Sequence, residues 1–167
     1  KIDKIWSFSK KFGGSLSDYT AWLLERSMKT LTVRFYEQQK NAKILSSFLN
    51  DSSSIEKVHF PGIENNEFYA IACKQMDGFG AVISFELKKN ISPKEFLTSL
   101  ELINPSMSFA GVESTMLSPA ETSHQLLSKK ERIEQGIVDN LIRFSVGIED
   151  PEDLIEDINL AIHKCKK

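Results

Sequence analysis

A strand pattern followed at once by a helix start is the feature that most constrains how this chain folds. Ile142, Phe144 and Val146 alternate with a second set of residues, as in a strand that buries one face. The alternation places Arg143 on the opposite face of the same strand. The run Asp150-Pro151-Glu152-Asp153 then predicts a helix with an N-cap, a proline at its first position and acids in its first turn.

Arg143 is a candidate ligand-binding residue because the predicted strand would hold it rigidly on the face away from the core. Its guanidinium offers a planar fork of donors that can bind a carboxylate through two hydrogen bonds. An arginine on a strand is more commonly a structural or solvated group. The pattern alone therefore leaves both interpretations open.

Length, charge and cysteine content narrow the class of protein. A chain of 167 residues is long enough for one domain with its own core, and we predict a single domain over residues 1–167. The 21 basic and 23 acidic residues nearly balance, which argues against a surface for nucleic acid or anionic membrane. No apolar run approaches the roughly 20 residues that span a bilayer. Cys73 and Cys165 lack metal-ligand spacing and fit the reducing cytoplasm, where we expect the protein to act.

The periodic patterns predict an α+β fold. Apolar residues recur at three- and four-residue steps from Leu16 to Leu49, which predicts one long helix that suits the packing spine of a domain better than a coiled coil. The predicted strands are too close for parallel crossovers, so we expect an antiparallel or mixed sheet with helices against one face. Shorter helices are predicted at residues 1–12, 67–75, 92–100, 128–135 and 150–165, and strands at residues 55–60, 81–87, 106–110, 114–117 and 141–146.

No complete catalytic set follows from residue spacing. His59, His124 and His163 lie on different predicted elements without the spacing of metal ligands, so no metal site is expected. The run Gly78-Phe79-Gly80 is too short for a dinucleotide-binding loop. Ser108 has no base in evident reach, and a hydrolase triad is therefore unsupported.

Residues 106–114 form a segment of small and short polar residues, Ser106-Met107-Ser108-Phe109-Ala110-Gly111-Val112-Glu113-Ser114. Small residues allow a backbone to approach a ligand closely. A tight turn within the sheet is the alternative interpretation of this segment.

Several motifs resemble the C-terminal part of the cystathionine γ-synthase / β-lyase / γ-lyase family, the pyridoxal-phosphate enzymes of cysteine and methionine metabolism. The resemblance covers nearly the whole chain, and the motifs occur in the order of the family. They are residues 23–31 with Arg34, then Gln39, Asn41 and Ala42, then Val58-His59-Phe60-Pro61-Gly62, residues 108–114, residues 119–124, Gly136-Ile137 and residues 141–150.

The resemblance implies the small C-terminal domain of fold-type I pyridoxal-phosphate enzymes. In that fold an antiparallel sheet carries helices on its outer face and packs against a large cofactor domain. The resemblance also implies that Arg143 binds the α-carboxylate of an amino-acid substrate, and that Ser108 helps to position the substrate and the catalytic lysine. The partners it implies are the protein's own N-terminal cofactor domain, a small amino acid and further copies of the enzyme in a tetramer.

Two departures from the family pattern are local. The family's arginine-glycine-leucine is Arg26-Ser27-Met28 here, and its glycine pair after Ser108 is Ala110-Gly111. A larger departure is that residues 1–11 lack the serine-threonine-lysine motif that carries the cofactor. We therefore expect no catalytic residue within this chain, the cofactor's main contacts on a domain outside it, and no activity of the isolated chain.

Met107 bears on which reaction the full-length enzyme performs. In the γ-synthases and γ-lyases of the family the equivalent position is typically glutamate, which can attract the distal amino group of a cystathionine-like substrate. The uncharged Met107 favours cystathionine β-lyase activity, which yields homocysteine, pyruvate and ammonia. The alternative functions are those of a γ-synthase or γ-lyase, or of a stand-alone, non-catalytic binding domain. The alternative role of Met107 is structural, in which its side chain fills a gap beside the sheet.

Overall fold

The computed structural model of the protein describes residues 1–166, and the chain forms two compact units. The first is Lys1–Val33, and the second runs from Arg34 to the C-terminal end. The single domain predicted over residues 1–167 stays a prediction. No helix within residues 1–166 combines the length and the apolar character needed to cross a membrane.

The long predicted helix is divided in the structure. Helix α1 is Ile2–Phe12, α2 is Asp18–Met28 and α3 is Leu31–Asp51. The prediction of one unbroken helix from Leu16 to Leu49 is therefore wrong. The Thr30 hydroxyl lies 3.5 Å from the Ser27 carbonyl and can compete with the helical N–H for it. Lys29 keeps helical angles, with φ −60° and ψ −25°. The apolar residues therefore keep their helical spacing across the turn, and the spacing does not reveal that the helix ends there.

The second unit contains a five-stranded mixed sheet. The strands lie in the order β1-β2-β5-β4-β3, and all neighbours are antiparallel except β3 and β4. This arrangement confirms the predicted α+β class and the mixed sheet. The elements after α3 are β1 Ile55–His59, α4 Tyr69–Gln75, β2 Val82–Leu87, α5 Pro93–Ser99, β3 Asn104–Pro105, β4 Thr115–Leu117, α6 Lys129–Glu134, β5 Leu141–Ser145 and α7 Pro151–Cys165.

Helices α3, α5 and α7 cover one face of the sheet. On β5, Ile142 and Phe144 are fully buried in the cluster that also holds Leu45 of α3 and Ile158 of α7. Phe96 of α5 belongs to the same cluster. Burial of these side chains removes a large apolar area from water, which is the main favourable term in forming this layer.

A buried carboxylate links α7 to the segment after α5. Asp157 is 6% exposed, and its two oxygens accept the backbone N–H groups of Glu101 at 2.8 Å, Leu102 at 3.1 Å and Ile103 at 2.9 Å. These bonds satisfy donors that no strand or helix partner reaches. They therefore fix the point at which the chain enters β3.

Residues 106–110 do not form the predicted strand. The Ser106 N–H still donates to the Met116 carbonyl at 3.1 Å, but the chain then leaves the sheet. Ala110 has φ +62°, in the left-handed region, which an extended strand does not tolerate. The following segment is a loop held by side chains.

Candidate functional site

Arg143 lies at the centre of the sheet on the face opposite the helices. Its strand β5 is the third of five, and its neighbours Ile142 and Phe144 point into the core. Across the sheet Arg143 pairs with Ser84 and Leu117. The backbone of Arg143 is therefore held on both sides, and the half-buried side chain projects from a rigid platform.

The guanidinium of Arg143 contacts two residues of the 106–114 loop. Its Nη2 donates to the Met107 carbonyl at 3.1 Å, and its Cζ lies 5.0 Å from the centre of the Phe109 ring. Within residues 1–166, no carboxylate forms a salt bridge with it. A cation that is ordered but not neutralised is suited to bind an anion.

Strand side chains fix this loop on both sides of Phe109. The Thr115 hydroxyl donates to the Ser108 carbonyl at 2.7 Å. The Ala110 N–H donates to the Ser145 hydroxyl at 3.0 Å. Ser145 follows Arg143 by two residues and shares its face of β5, so the strand that carries the cation also positions the loop.

Buried amides of α3 hold the same loop and the turn after β5. Gln38 Nε2 donates to the Gly111 carbonyl at 2.6 Å. Asn41 Nδ2 donates to the carbonyls of Gly147 at 3.3 Å and Glu149 at 2.8 Å. Gln38 is 6% exposed and Asn41 is fully buried. Spacing did not reveal these roles, although a polar residue in an apolar helix slot at position 38 is a signal of buried hydrogen bonding.

Glu149 joins the 106–114 loop directly to the turn after β5. Its carboxylate accepts the Ser114 N–H at 2.5 Å and the Ser114 hydroxyl at 2.9 Å. The Ser114 hydroxyl oxygen in turn accepts the Gly147 N–H at 2.9 Å. A Cβ at Gly147 would overlap the Glu149 carboxylate and the Val112 carbonyl, so only glycine fits this close approach.

Ser108 and Met107, the other predicted site residues, lie on the loop beside Arg143. Both are exposed. The Ser108 hydroxyl has no hydrogen-bond partner within the described chain, whereas its backbone N–H donates to the Ser106 hydroxyl at 3.2 Å. Met107 is 64% exposed and borders a cavity of about 120 Å³ that Leu117 also lines. The structure thus brings all three predicted residues together, while their roles stay predictions.

A larger cavity of about 460 Å³ does not include Arg143. Apolar and polar side chains line it in similar numbers, and volume alone does not give it a chemical function. Nor do residues 1–166 contain a group of three or more His, Cys, Asp or Glu side chains placed to hold a metal ion. The residues that line the cavity are Lys89, Ile91, Ser92, Pro93, Lys129, Ile133, Val138, Asp139 and Asn140.

The lysines within residues 1–166 lack the surroundings that activate a Schiff-base lysine. A lysine that forms a Schiff base is activated by desolvation or by a neighbouring cation. Every lysine within residues 1–166 is exposed in this structure. These lysines do not fit the cofactor-binding role, and no catalytic step is assigned to them.

Ala110→Gly is expected to stabilise the chain. A left-handed residue other than glycine costs about 1–2 kcal/mol, and the greater flexibility of glycine when unfolded offsets about 0.5–1 kcal/mol of that gain. Urea unfolding should show an increase of about 0.5–1 kcal/mol with an unchanged slope. Ala120→Gly is the control, because Ala120 has no positive φ, and it should not stabilise. A lower stability of Ala110→Gly would contradict the argument.

Comparisons with known proteins agree with this architecture. The family model for Cys/Met metabolism PLP-dependent enzymes matches residues 1–163. Cystathionine beta-lyase of Lactococcus lactis subsp. cremoris (strain MG1363) is 38% identical over 161 residues, which are 96% of this chain and 42% of that protein. Cystathionine gamma-lyase of Bacillus subtilis (strain 168) is 39% identical over 150 residues, 90% of this chain and 40% of that protein. The chain thus spans about two-fifths of the length of these curated relatives.

Solved structures give the same result. Cystathionine gamma-lyase from Lactobacillus plantarum, complexed with L-serine, has a TM-score of 0.90 and 35% identity, and the match covers 98% of this chain and 43% of that one. Cystathionine gamma synthase from Xanthomonas oryzae pv. oryzae, in complex with cystathionine, has a TM-score of 0.84 and 33% identity, with coverage of 90% and 39%. The resemblance seen in the motifs is confirmed, and the chain belongs to the Cys/Met metabolism PLP-dependent enzyme family.

Proposed function

We propose that this chain is the substrate-binding C-terminal part of a pyridoxal-phosphate-dependent trans-sulfuration enzyme, in which Arg143 binds the α-carboxylate of an amino-acid substrate. The observation that carries the proposal is an ordered guanidinium without a carboxylate partner in residues 1–166, on the central strand of the sheet. A planar fork in this setting suits a carboxylate. The exposed Ser108 hydroxyl, next to Met107, is the second group proposed to contact the substrate.

The remaining parts of the site are proposed to lie on an N-terminal cofactor domain of the same protein. Coverage of about two-fifths of the curated relatives supports this proposal, as does the exposure of every described lysine. The family depends on pyridoxal phosphate, which supplies the electron sink for reactions at the amino acid's carbons. We further propose a tetrameric enzyme that acts in the cytoplasm.

A small amino acid is the proposed substrate. The related Lactobacillus plantarum structure contains L-serine and the Xanthomonas oryzae structure contains cystathionine. Both ligands are amino acids with an α-carboxylate. A cation at the position of Arg143 would recognise the group that they share.

The proposed reaction is the β-lyase reaction on cystathionine. Its carbon–sulfur bond breaks on the β side, and with the addition of one water the products are homocysteine, pyruvate and ammonia. Met107 supports this choice, because its exposed thioether side chain offers no charge to a distal ammonium and can pack against a substrate's thioether arm.

Cystathionine γ-synthase or γ-lyase activity is the alternative. The 39% identity to the Bacillus subtilis gamma-lyase favours it about as strongly as the 38% identity to the Lactococcus lactis beta-lyase favours β-elimination. The two activities differ in which carbon–sulfur bond breaks or forms. Substrate assays therefore separate them directly.

Met107→Glu in the full-length enzyme is expected to shift the product ratio. We expect the unaltered enzyme to form mainly homocysteine from cystathionine, and to form little cystathionine from an activated homoserine ester and cysteine. A glutamate at position 107 adds a carboxylate that can attract the distal ammonium, so the ratio of γ to β products should rise about threefold or more. Met107→Gln, which adds a polar group without charge, is the matched control. Dominant γ-cleavage or synthesis by the unaltered enzyme would contradict the β-lyase proposal. An unchanged ratio of γ to β products in Met107→Glu would show that residue 107 does not determine which reaction the enzyme performs.

A further inference from the structure

The Phe109 ring lies against the Arg143 guanidinium although most of the ring is exposed. The Cζ atom of Arg143 is 5.0 Å from the ring centre, within the distance at which an aromatic face attracts a cation. Phe109 is 62% exposed, so its ring is not buried in an apolar core. The packing of the core does not account for an aromatic ring at this place.

The backbone on both sides of Phe109 is anchored. The carbonyl of Ser108 accepts the Thr115 hydroxyl, and the N–H of Ala110 donates to the Ser145 hydroxyl. The left-handed φ of Ala110, +62°, turns the chain directly after the ring. Phe109 is therefore held beside Arg143 by β5, which carries the cation, and by the neighbouring strand β4.

Two contacts then restrain the guanidinium without using all of its donors. The Met107 carbonyl accepts one N–H from Nη2, and the Cζ atom lies over the Phe109 ring. A guanidinium has five N–H donors, so the bond to Met107 leaves donors with which the planar fork can bind a carboxylate. An arginine side chain that is already ordered loses less rotational freedom when it binds a ligand.

We infer that Phe109 is a positioning residue that orients the Arg143 guanidinium for the carboxylate of the substrate. The inference rests on the proposed function of Arg143. It predicts that an aromatic ring is required at position 109, and that an apolar side chain of similar size does not replace it. Its effect should appear in the binding of the carboxylate and not in cofactor content.

The test uses the full-length enzyme loaded with cofactor and measures inhibition by propionate, a carboxylate without an amino group, and by propionamide, its uncharged analogue. In Phe109→Leu the inhibition constant for propionate should rise about threefold to tenfold, with no change for propionamide. Phe109→Tyr keeps the ring and should stay within about twofold of the unaltered enzyme. Phe68→Leu is the matched control, because Phe68 is 59% exposed, and it should change neither constant.

Arg143→Ala separates failure of this inference from failure of the proposed function. If Arg143→Ala loses the preference for propionate over propionamide while Phe109→Leu keeps it, the role of Phe109 is overturned and that of Arg143 stands. If Phe109→Tyr weakens inhibition by propionate as much as Phe109→Leu does, attraction between the ring and the cation is not the cause of the effect, and the inference is overturned. If Arg143→Ala keeps the preference, the carboxylate site itself is wrong. Cofactor absorbance, measured for each variant, shows whether the enzyme is intact.

Discussion

Arg143→Ala in the full-length enzyme is expected to lower kcat/KM by about thirtyfold to about five thousandfold. The expectation follows from the cost of removing one partner of a desolvated, hydrogen-bonded charge pair, which is about 2–5 kcal/mol. The substrate's carboxylate would lose its two-point contact and much of its orientation. Cofactor binding should be retained, because the proposed partner of Arg143 is the substrate's α-carboxylate and the main contacts of the cofactor are proposed to lie on the N-terminal domain.

Two further variants show whether the loss in Arg143→Ala comes from the shape of the guanidinium or from charge alone. Arg143→Lys keeps the charge but not the planar fork, so we expect an intermediate loss of kcat/KM. Lys57→Ala removes an exposed cation from β1, at the edge of the sheet, and should have little effect. A change of less than about threefold in Arg143→Ala, which is under about 1 kcal/mol, would show that the carboxylate role is wrong.

Asp157→Ala is expected to lower the free energy of unfolding by about 3 kcal/mol. The substitution leaves the N–H groups of Glu101, Leu102 and Ile103 without their acceptor. Hydrogen bonds to a charged acceptor contribute about 1.5–3 kcal/mol each. Glu101 and Leu102 are exposed, so water can replace the acceptor for their N–H groups, whereas Ile103 is 1% exposed. The loss of stability should therefore be smaller than the sum of three such hydrogen bonds. Urea unfolding measures the change, and an unchanged slope shows that the unfolded state is unaffected.

Glu156→Ala is the control for Asp157→Ala, because Glu156 is the adjacent acid on α7 and is exposed. Its loss should change the free energy of unfolding by less than about 0.5 kcal/mol. Asp157→Asn retains one acceptor oxygen and should cost about half as much as the alanine variant. If Asp157→Ala cost less than about 1 kcal/mol, the carboxylate would not be the main attachment of this segment.

Features that depend on neighbours in the sequence could be predicted from the sequence. The alternation of Ile142 and Phe144 gave the correct buried face of β5. Side-chain caps were equally predictable, since Ser92, Ser128 and Asp150 accept backbone N–H groups two or three residues ahead. Each of these features needs only the local geometry of one strand or one helix turn.

Features that depend on distant residues could not be predicted in this way. The pattern of residues 106–110 predicts a strand, whereas side chains distant in the sequence set the conformation of this loop. Gln38, for example, donates to Gly111, which is 73 positions away. Asp157 lies among apolar residues of α7, and helical periodicity does not show that a carboxylate is buried there to meet a separate loop.

The site was predictable to the same extent. Arg143 could be placed on the correct face from β5 alone. Its contacts with the Met107 carbonyl and the Phe109 ring required the loop to fold back over the sheet. No spacing rule joins residues 34 or 36 positions apart on a strand and an irregular loop.

The amides of Gln38 and Asn41 have a consequence for how such a site can change during evolution. They hold the 106–114 loop and the turn after β5 by donating to backbone carbonyls. These hydrogen bonds do not depend on which side chains the loop carries at its exposed positions. Residue 107, whose exposed side chain takes no part in these bonds, can therefore be exchanged by mutation while the backbone beside Arg143 keeps its course. A lineage with this scaffold can acquire a new substrate preference one side chain at a time, without first rebuilding the loop.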